Sequence, residues 1–343
     1  SGRAADTAGA VEPQLTIQLS QLVELGAKRA ARQALAAGDE TVAGLDYEAA
    51  RLDVLSRVTA AFHHVLAGQE AVAQAAVGLA LAQQVQQTAA ARVAAGVVSP
   101  IEETRADVLV SSAQLEADRA QRTLDARRRQ LSAHWGHASP VFERVAGDIS
   151  VLPPLPSIEA LSAALAGTPD LARWTAEVER RQAALSVARG AATPDLTVSA
   201  GYRRFTSLGS QALVVGVSVP IPFFDRNKDG IRAADAEIAR ARAEADAALL
   251  HLQSRLADAH RAFASAVDDA TTLRTRVIPS AQSVFDAVRE GYQLGRFGLM
   301  DVLDAQRTLA MANRDLLAAL TDAHQAAVAV ERLVGRPMID IAR

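Results

Sequence analysis

Tyr292-Gln293-Leu294-Gly295-Arg296-Phe297-Gly298-Leu299-Met300-Asp301-Val302-Leu303-Asp304-Ala305-Gln306 reads as the end of one helix, a glycine turn and the acidic start of another. Glycine supplies the left-handed residue that stops a helix, and carboxylates are favoured at the positive end of the helix that follows. Asp301 and Asp304 are three apart and share one face of that second helix. On residue type alone they serve helix-start capping or a functional site equally well. Beyond the turn a seven-residue register holds through Val302, Leu309, Leu316, Ala323 and Val330 at one core position, and Ala305, Ala312, Ala319, Ala326 and Leu333 at the other. Five consecutive heptads predict coiled-coil packing. Alanine at the second position brings helix axes near the lower end of the roughly 8–10 Å range.

The same unit occurs earlier in the chain. Gly96 and Gly295 lie 199 positions apart, as do Trp135-Gly136 and Val334-Gly335. At that offset Ala106 aligns with Ala305, Val110 with Leu309, Ala113 with Ala312, Ala120 with Ala319 and Leu131 with Val330, while Leu19-Ser20 lies opposite Val217-Ser218 with a one-residue slip. Two tandem copies of strand, long helix, glycine turn and long helix follow. From about Lys28 to Ala95 the chain is helix-rich and free of proline, a reach of about 100 Å. Such a helix does not fit a compact globule.

Three segments alternate instead of following helical spacing. Leu15, Ile17 and Leu19 form one apolar series, Leu196, Val198, Ala200 and Tyr202 a second, and Val215, Val217, Val219 and Ile221 a third. Each predicts a strand with one apolar face. The last two flank the polar stretch 203–211 and predict a hairpin. Three or four strands do not close a barrel, which needs about eight, so membrane-crossing strands require subunits to pool them. Proline-dense Ser139 to Pro169 predicts a connector packed outside the helices together with the tail from Arg336, and Pro279 predicts a broken or kinked helix.

Composition narrows the function. Apolar residues make up 50% of the 343 but aromatics only 4%, and alanine is about a fifth, which favours long, closely packed helices over a large core. A net charge of −3 gives no footprint for nucleic acid. The chain has no cysteine, so disulfides and thiolate chemistry do not arise. No stretch reads as about 18 consecutive apolar residues, so any membrane segment is expected to be β. Ser1 to Glu12 lacks a signal-peptide core, and any export signal is expected to lie outside this chain. His63-His64 and His134-x-x-His137 lack ligand spacing, so surface or packing roles are expected and no metal site or cofactor is assigned. No phosphate loop, nucleophile elbow or zinc motif is present, and no enzyme activity is expected.

The 292–306 stretch resembles the helix-turn-helix tip of TolC-like outer-membrane efflux channels, with Gly96-Val97-Val98-Ser99-Pro100-Ile101-Glu102 as its degenerate partner. Leu25-Gly26-Ala27-Lys28-Arg29-Ala30-Ala31-Arg32 and Pro220-Ile221-Pro222-Phe223-Phe224-Asp225-Arg226-Asn227-Lys228-Asp229-Gly230 resemble that family's strand-to-helix junctions, most closely in its heavy-metal branch of CusC and CzcC type. The resemblance runs from Leu15 to Gly335. It implies a mainly α homotrimer with a small β part, an α-barrel of long helical hairpins continuing into one outer-membrane β-barrel. It further implies a periplasmic location for the helices, an adaptor, an inner-membrane proton-driven pump and outer-membrane lipid as partners. Divalent heavy-metal cations are the expected cargo, with organic toxicant efflux, or a periplasmic coiled-coil adaptor or scaffold, as alternatives.

By resemblance, Asp301 and Asp304 constrict the periplasmic mouth, Glu102 matches an acidic tip residue and Tyr292 a tyrosine that latches the closed state. Arg296 lies one position from where a latch arginine is often found, with Phe297 there instead. Gly96, Val97, Val98, Ser99, Gly295, Arg296, Phe297 and Gly298 would dock an adaptor; on their own they form simple αα-hairpin turns. The domains expected are a first repeat at 1–138, truncated at its N-terminus, a proline-rich equatorial connector at 139–170, a second repeat at 171–335 and a tail at 336–343.

Overall fold

The computed structural model describes residues 14–205, 211–221 and 226–341. Three strands, β1 (Gln14–Val23), β2 (Leu196–Phe205) and β3 (Gln211–Ser218), accompany α1 (Lys28–Ala94), α2 (Ile101–Ala133), α3 (Ile158–Leu165), α4 (Pro169–Ala191), α5 (Lys228–Thr272), α6 (Ile278–Gln293) and α7 (Leu299–Val334). The protein is mainly α with a small sheet, and α1 is one helix of 67 residues. Two compact units are present. One comprises Ser1–Asp46 and Ala172–Ala248, the other Tyr47–Leu171 and Leu249–Arg343.

The first unit holds the sheet, antiparallel in the order β1-β2-β3. Ile17, Tyr202 and Leu213 form one cross-strand rank, and Leu19, Ala200 and Val215 the next. Alternation puts these on one face, where Leu19 is 79% exposed and Leu213 78%. The opposite face carries Thr16, Gln18 and Ser20 beside Ser199, Gly201 and Arg203. A sheet apolar on its open face and polar on the other is the pattern of a membrane barrel wall, with lipid on the first side and water on the second. β3 ends at Ser218, so Val219 and Ile221 extend the alternation past the ladder; Pro220, which lacks an N–H, lies between them. The hairpin loop at 206–210, the junction residues 222–225 and the truncation expected before β1 lie outside the described residues.

Both strand-to-helix junctions use a left-handed residue before a lysine: Ala27 at φ 57° and Asn227 at φ 52°. Lys28 Nζ donates to Asp195 Oδ1 at 2.6 Å, and the Leu25 N–H donates to the same oxygen at 3.2 Å, tying the start of α1 to the start of β2. Lys28 and the Leu25 amide hold the Asp195 carboxyl below its ordinary range.

In the second unit the heptad seam of α7 is buried as its spacing predicts: Val302, Leu309, Ala323 and Val330 at one position, Ala305, Ala312, Ala319 and Leu333 at the other, with Leu316 and Ala326 half-buried. Leu161 and Leu165 of α3 enter a cluster with Phe263, Val330, Leu333 and Met338, so connector and tail both pack on α5 and α7. Gln69 clamps the connector twice, accepting from the Val145 N–H at 2.8 Å and donating to its carbonyl at 3.1 Å. Arg332, 15% exposed, reaches Asp170 at 2.6 Å and also pairs with Asp53.

The expected break at Pro279 takes another form. Leu273–Val277 is a π-helical turn that joins α5 to α6 without ending the helix. Proline gives no N–H to the carbonyl four residues back, and a wide turn absorbs that loss. One 18-residue window of α1, with mean hydropathy 1.4, has the length and composition of a membrane-crossing helix, contrary to expectation. Alanine raises hydropathy there without supplying large apolar side chains. The histidines divide. His134 and His137 are exposed, while the His63 ring stacks on His324 at 4.3 Å and His324 Nε2 donates to the Ile149 carbonyl at 2.9 Å. Burial, then His324, lowers the His63 pKa to about 4, so the ring is neutral at pH 7.

Candidate functional site

Two helix-terminating turns of the second unit are built alike. After α1 the Gly96 N–H donates to the Val93 carbonyl at 2.9 Å, and the Val97 N–H to Arg92 at 3.0 Å. After α6 the Gly295 N–H donates to Tyr292 at 3.0 Å, and the Arg296 N–H to Gly291 at 2.7 Å. Gly96 and Gly295 take φ of 69° and 76°, the left-handed position such a pair of bonds requires. The 199-residue repeat therefore extends to individual hydrogen bonds.

Against this symmetry the side chains differ. Tyr292, 2% exposed, sits in a cluster with Val85, Phe285, Leu299 and Val302 from three helices. Its Oη donates to Glu102 Oε2 of α2 at 3.2 Å. Burial, then the Glu102 carboxylate, raises the phenol pKa, so it remains a donor throughout the physiological range. Arg92 of α1 stacks over the tyrosine ring at 4.3 Å and donates to the Tyr292 carbonyl at 2.6 Å. The two helical hairpins are thus joined through Tyr292 by a hydroxyl bond, a cation–π contact and a charged bond to a helix C-terminus.

Asp301 and Asp304 are both exposed on the first turns of α7. Asp301 Oδ2 accepts from the Gly298 N–H at 2.9 Å, so it caps its own helix. Among the described residues no side chain pairs with the Asp304 carboxylate. Both aspartates line an open groove between α6 and α7 with Arg276, Val284, Phe297 and Thr308. Tyr292 and Glu102 are brought together, and Asp301 with Asp304 forms a separate surface.

At the tips, Val97 is 66% and Phe297 45% exposed, Val98 is half-buried, and Gly96, Ser99, Gly295, Arg296 and Gly298 are exposed. Ile101, Leu294 and Met300, which spacing did not single out, extend this apolar surface. Phe297 lies so close over Gly291 that a Cβ there would clash with its ring. Arg92 was also not legible as a site residue. The signal lay in the repeat, whose offset sets Arg92 opposite Gly291 just before the tyrosine.

The family model described as outer membrane efflux protein matches residues 160–336. The cobalt-zinc-cadmium resistance protein CzcC of Cupriavidus metallidurans is 37% identical over 321 residues, 94% of this chain and 77% of that protein. The nickel-cobalt-cadmium resistance protein NccC of Alcaligenes xylosoxydans xylosoxydans is 29% identical over 247 residues, 71% and 55% of the two chains. Among solved structures, CusC superposes with a TM-score of 0.82 at 17% identity, covering 94% of this chain and 77% of CusC. The open state of Neisseria gonorrhoeae MtrE gives 0.78 at 18%, covering 97% and 78%. These likenesses remove the adaptor and scaffold alternative, and they accord with a duct that performs no catalysis. A lipid-facing strand set leading into long paired helices, in a chain so related in sequence, belongs to the outer membrane efflux protein family, whose TolC-like channels stand in the outer membrane with their helices in the periplasm.

Proposed function

We propose that the chain is one of three identical subunits of a passive exit duct for divalent heavy-metal cations, working with a periplasmic adaptor and a proton-driven inner-membrane pump. Its periplasmic mouth is held closed by the contact of Tyr292 with Glu102 and guarded by Asp301 and Asp304. The observation that carries this is the buried Tyr292 hydroxyl on Glu102, a bond between hairpins that opening would have to break. The outer edges of β1 and β3 have no partner among the described residues, which supports strands pooled between copies. The cargo rests on the relatives, whose names are those of cobalt, zinc, cadmium and nickel resistance proteins. Three copies of the aspartate pair would focus negative potential that favours cations. Val97, Phe297 and their exposed apolar neighbours are the docking surface for the adaptor tips.

The test is ion conductance of the full-length protein in planar bilayers, wild type against Asp301→Ala with Asp304→Ala. Reduced cation preference is expected, and unchanged conductance and preference would overturn the acidic mouth. For cargo, deletion is expected to cost zinc, cobalt or cadmium tolerance; loss of tolerance to organic toxicants alone would overturn the metal assignment.

A further inference from the structure

The polar face of the sheet carries hydroxyls, amides, glycines, the apolar side chains of Leu22, Ala212 and Val214, and one charge. Among the described residues of that face only Arg203 is ionised. It stands on β2, the central strand, opposite Thr16 of β1 and Ala212 of β3. Its orientation is therefore fixed by pairing within one chain and does not depend on the seam between subunits. Its Nε donates to Thr16 Oγ1 at 3.1 Å, which holds the guanidinium against the wall and leaves its charge unpaired among the described residues. The next residue, Arg204, points to the apolar face beside Leu15.

Arg203 also has a defined height. The junctions of β1 with α1, of α4 with β2 and of β3 toward α5 all lie at the Val23, Leu196 and Ser218 end of the sheet. Arg203 lies near the other end, two residues from the end of β2. With the helices in the periplasm, that end faces the cell exterior.

We propose that Arg203, repeated by each subunit of the shared barrel, forms a ring of fixed positive charge on the lumen wall near the outer mouth and sets the barrel's ion preference against cations. This rests on the barrel being pooled between subunits. A guanidinium stays charged at every physiological pH, so the ring is permanent. Three charges about one Debye length from the axis of a water-filled bore lower monovalent cation occupancy about two- to threefold at 0.1 M salt. For a divalent ion the exponent doubles, giving about five- to tenfold. The barrier is the same in both directions: free metal outside the cell is disfavoured from the outer mouth, outgoing metal crosses the ring at the same lowered occupancy, and anions are admitted.

Reversal potentials of the full-length channel in planar bilayers under a KCl gradient test this. Arg203→Gln is expected to raise the potassium-to-chloride permeability ratio about two- to threefold, Arg203→Glu further, and Arg203→Lys to leave it unchanged, with the differences shrinking at 1 M salt. Arg204→Gln, one residue away on the lipid side, is expected to leave the ratio unchanged. These 343 residues contain no cysteine, so Arg203→Cys places a single thiol among them, and charged thiol reagents in the bath are expected to shift the ratio according to their sign in Arg203→Cys and not in the parent protein. A wild-type channel whose ratio ignores Arg203→Gln, shifts equally with Arg204→Gln, or leaves the Arg203→Cys thiol unreactive overturns the proposal. A wild-type protein that forms no trimer and no channel overturns the shared barrel itself.

Discussion

Tyr292→Phe removes one oxygen and leaves the ring that Arg92 stacks on, so it isolates the hydroxyl bond to Glu102. The bond is 3.2 Å long and its donor is buried, while the acceptor is half-buried and hydrates once released. Its net worth therefore lies near the middle of the usual range, about 1 kcal/mol per subunit. If three subunits open as a unit the contributions sum to about 3 kcal/mol, about a hundredfold shift toward the open state; if each hairpin opens alone, the shift is about fivefold. Single-channel open probability in planar bilayers separates these outcomes. Glu102→Ala is expected to open the channel to a similar extent, and the double variant to add little, because both remove one contact. Strictly additive effects, or an open probability unchanged by Tyr292→Phe in an intact trimer, would refute the assignment of this bond to the closed state.

Gly291→Ala is expected to destabilise the protein by about 1–2 kcal/mol, because its Cβ would meet the Phe297 ring. Phe297→Ala in the same chain should restore most of the lost thermal stability. His63 predicts acid sensitivity: its pKa of about 4 lies below the ordinary 6.5, so the unfolded chain binds more protons between those values. Its contribution is complete above about pH 6.5 and falls as pH drops toward 4, by about 1–2 kcal/mol once partial exposure is discounted. Urea unfolding at pH 7 and pH 5 should show that difference, and His63→Phe should shrink it. Arg332→Ala leaves Asp170 and Asp53 without their shared cation and should cost about 2 kcal/mol in the same assay. Arg332→Met should recover part of it by keeping the buried stem.

The long-range plan was legible because it follows from periodicity. The α7 seam, the uninterrupted α1 and the three alternating strands each express a spacing that local geometry must obey. What spacing does not encode is which groups meet across elements. The pairing of β1 with β2 joins residues far apart in sequence, and no property of Leu15 names Arg204 as its partner. Pro279 announced a disturbance but not its kind, since a kink and a π turn both relieve the missing N–H. Asp301 was legible as a helix-start carboxylate and is one; its place in the groove with Asp304 came only from the packing of α6 on α7. Arg92 was hidden because an arginine in the last turn of a long helix is ordinary, and only the ring beneath it gives it a role.

The tandem copies build the two turns with the same backbone bonds and then diverge where a single contact is wanted. At the 199-residue offset Tyr292 corresponds to Val93 and Glu102 to Asp301. Of the two tyrosine–carboxylate bonds that a symmetric pair would offer, only one has a hydroxyl to make it, because valine has none. Asp301, released from that role, turns to its own helix terminus, and Asp304 stands where the first copy has Arg105. Interruption falls in the second copy too, since α1 has no counterpart to the Leu273–Val277 turn. Backbone symmetry gives two hairpins of matched length, and side-chain asymmetry leaves a single tyrosine–carboxylate bond between their tips with the Asp301 and Asp304 carboxylates beside it.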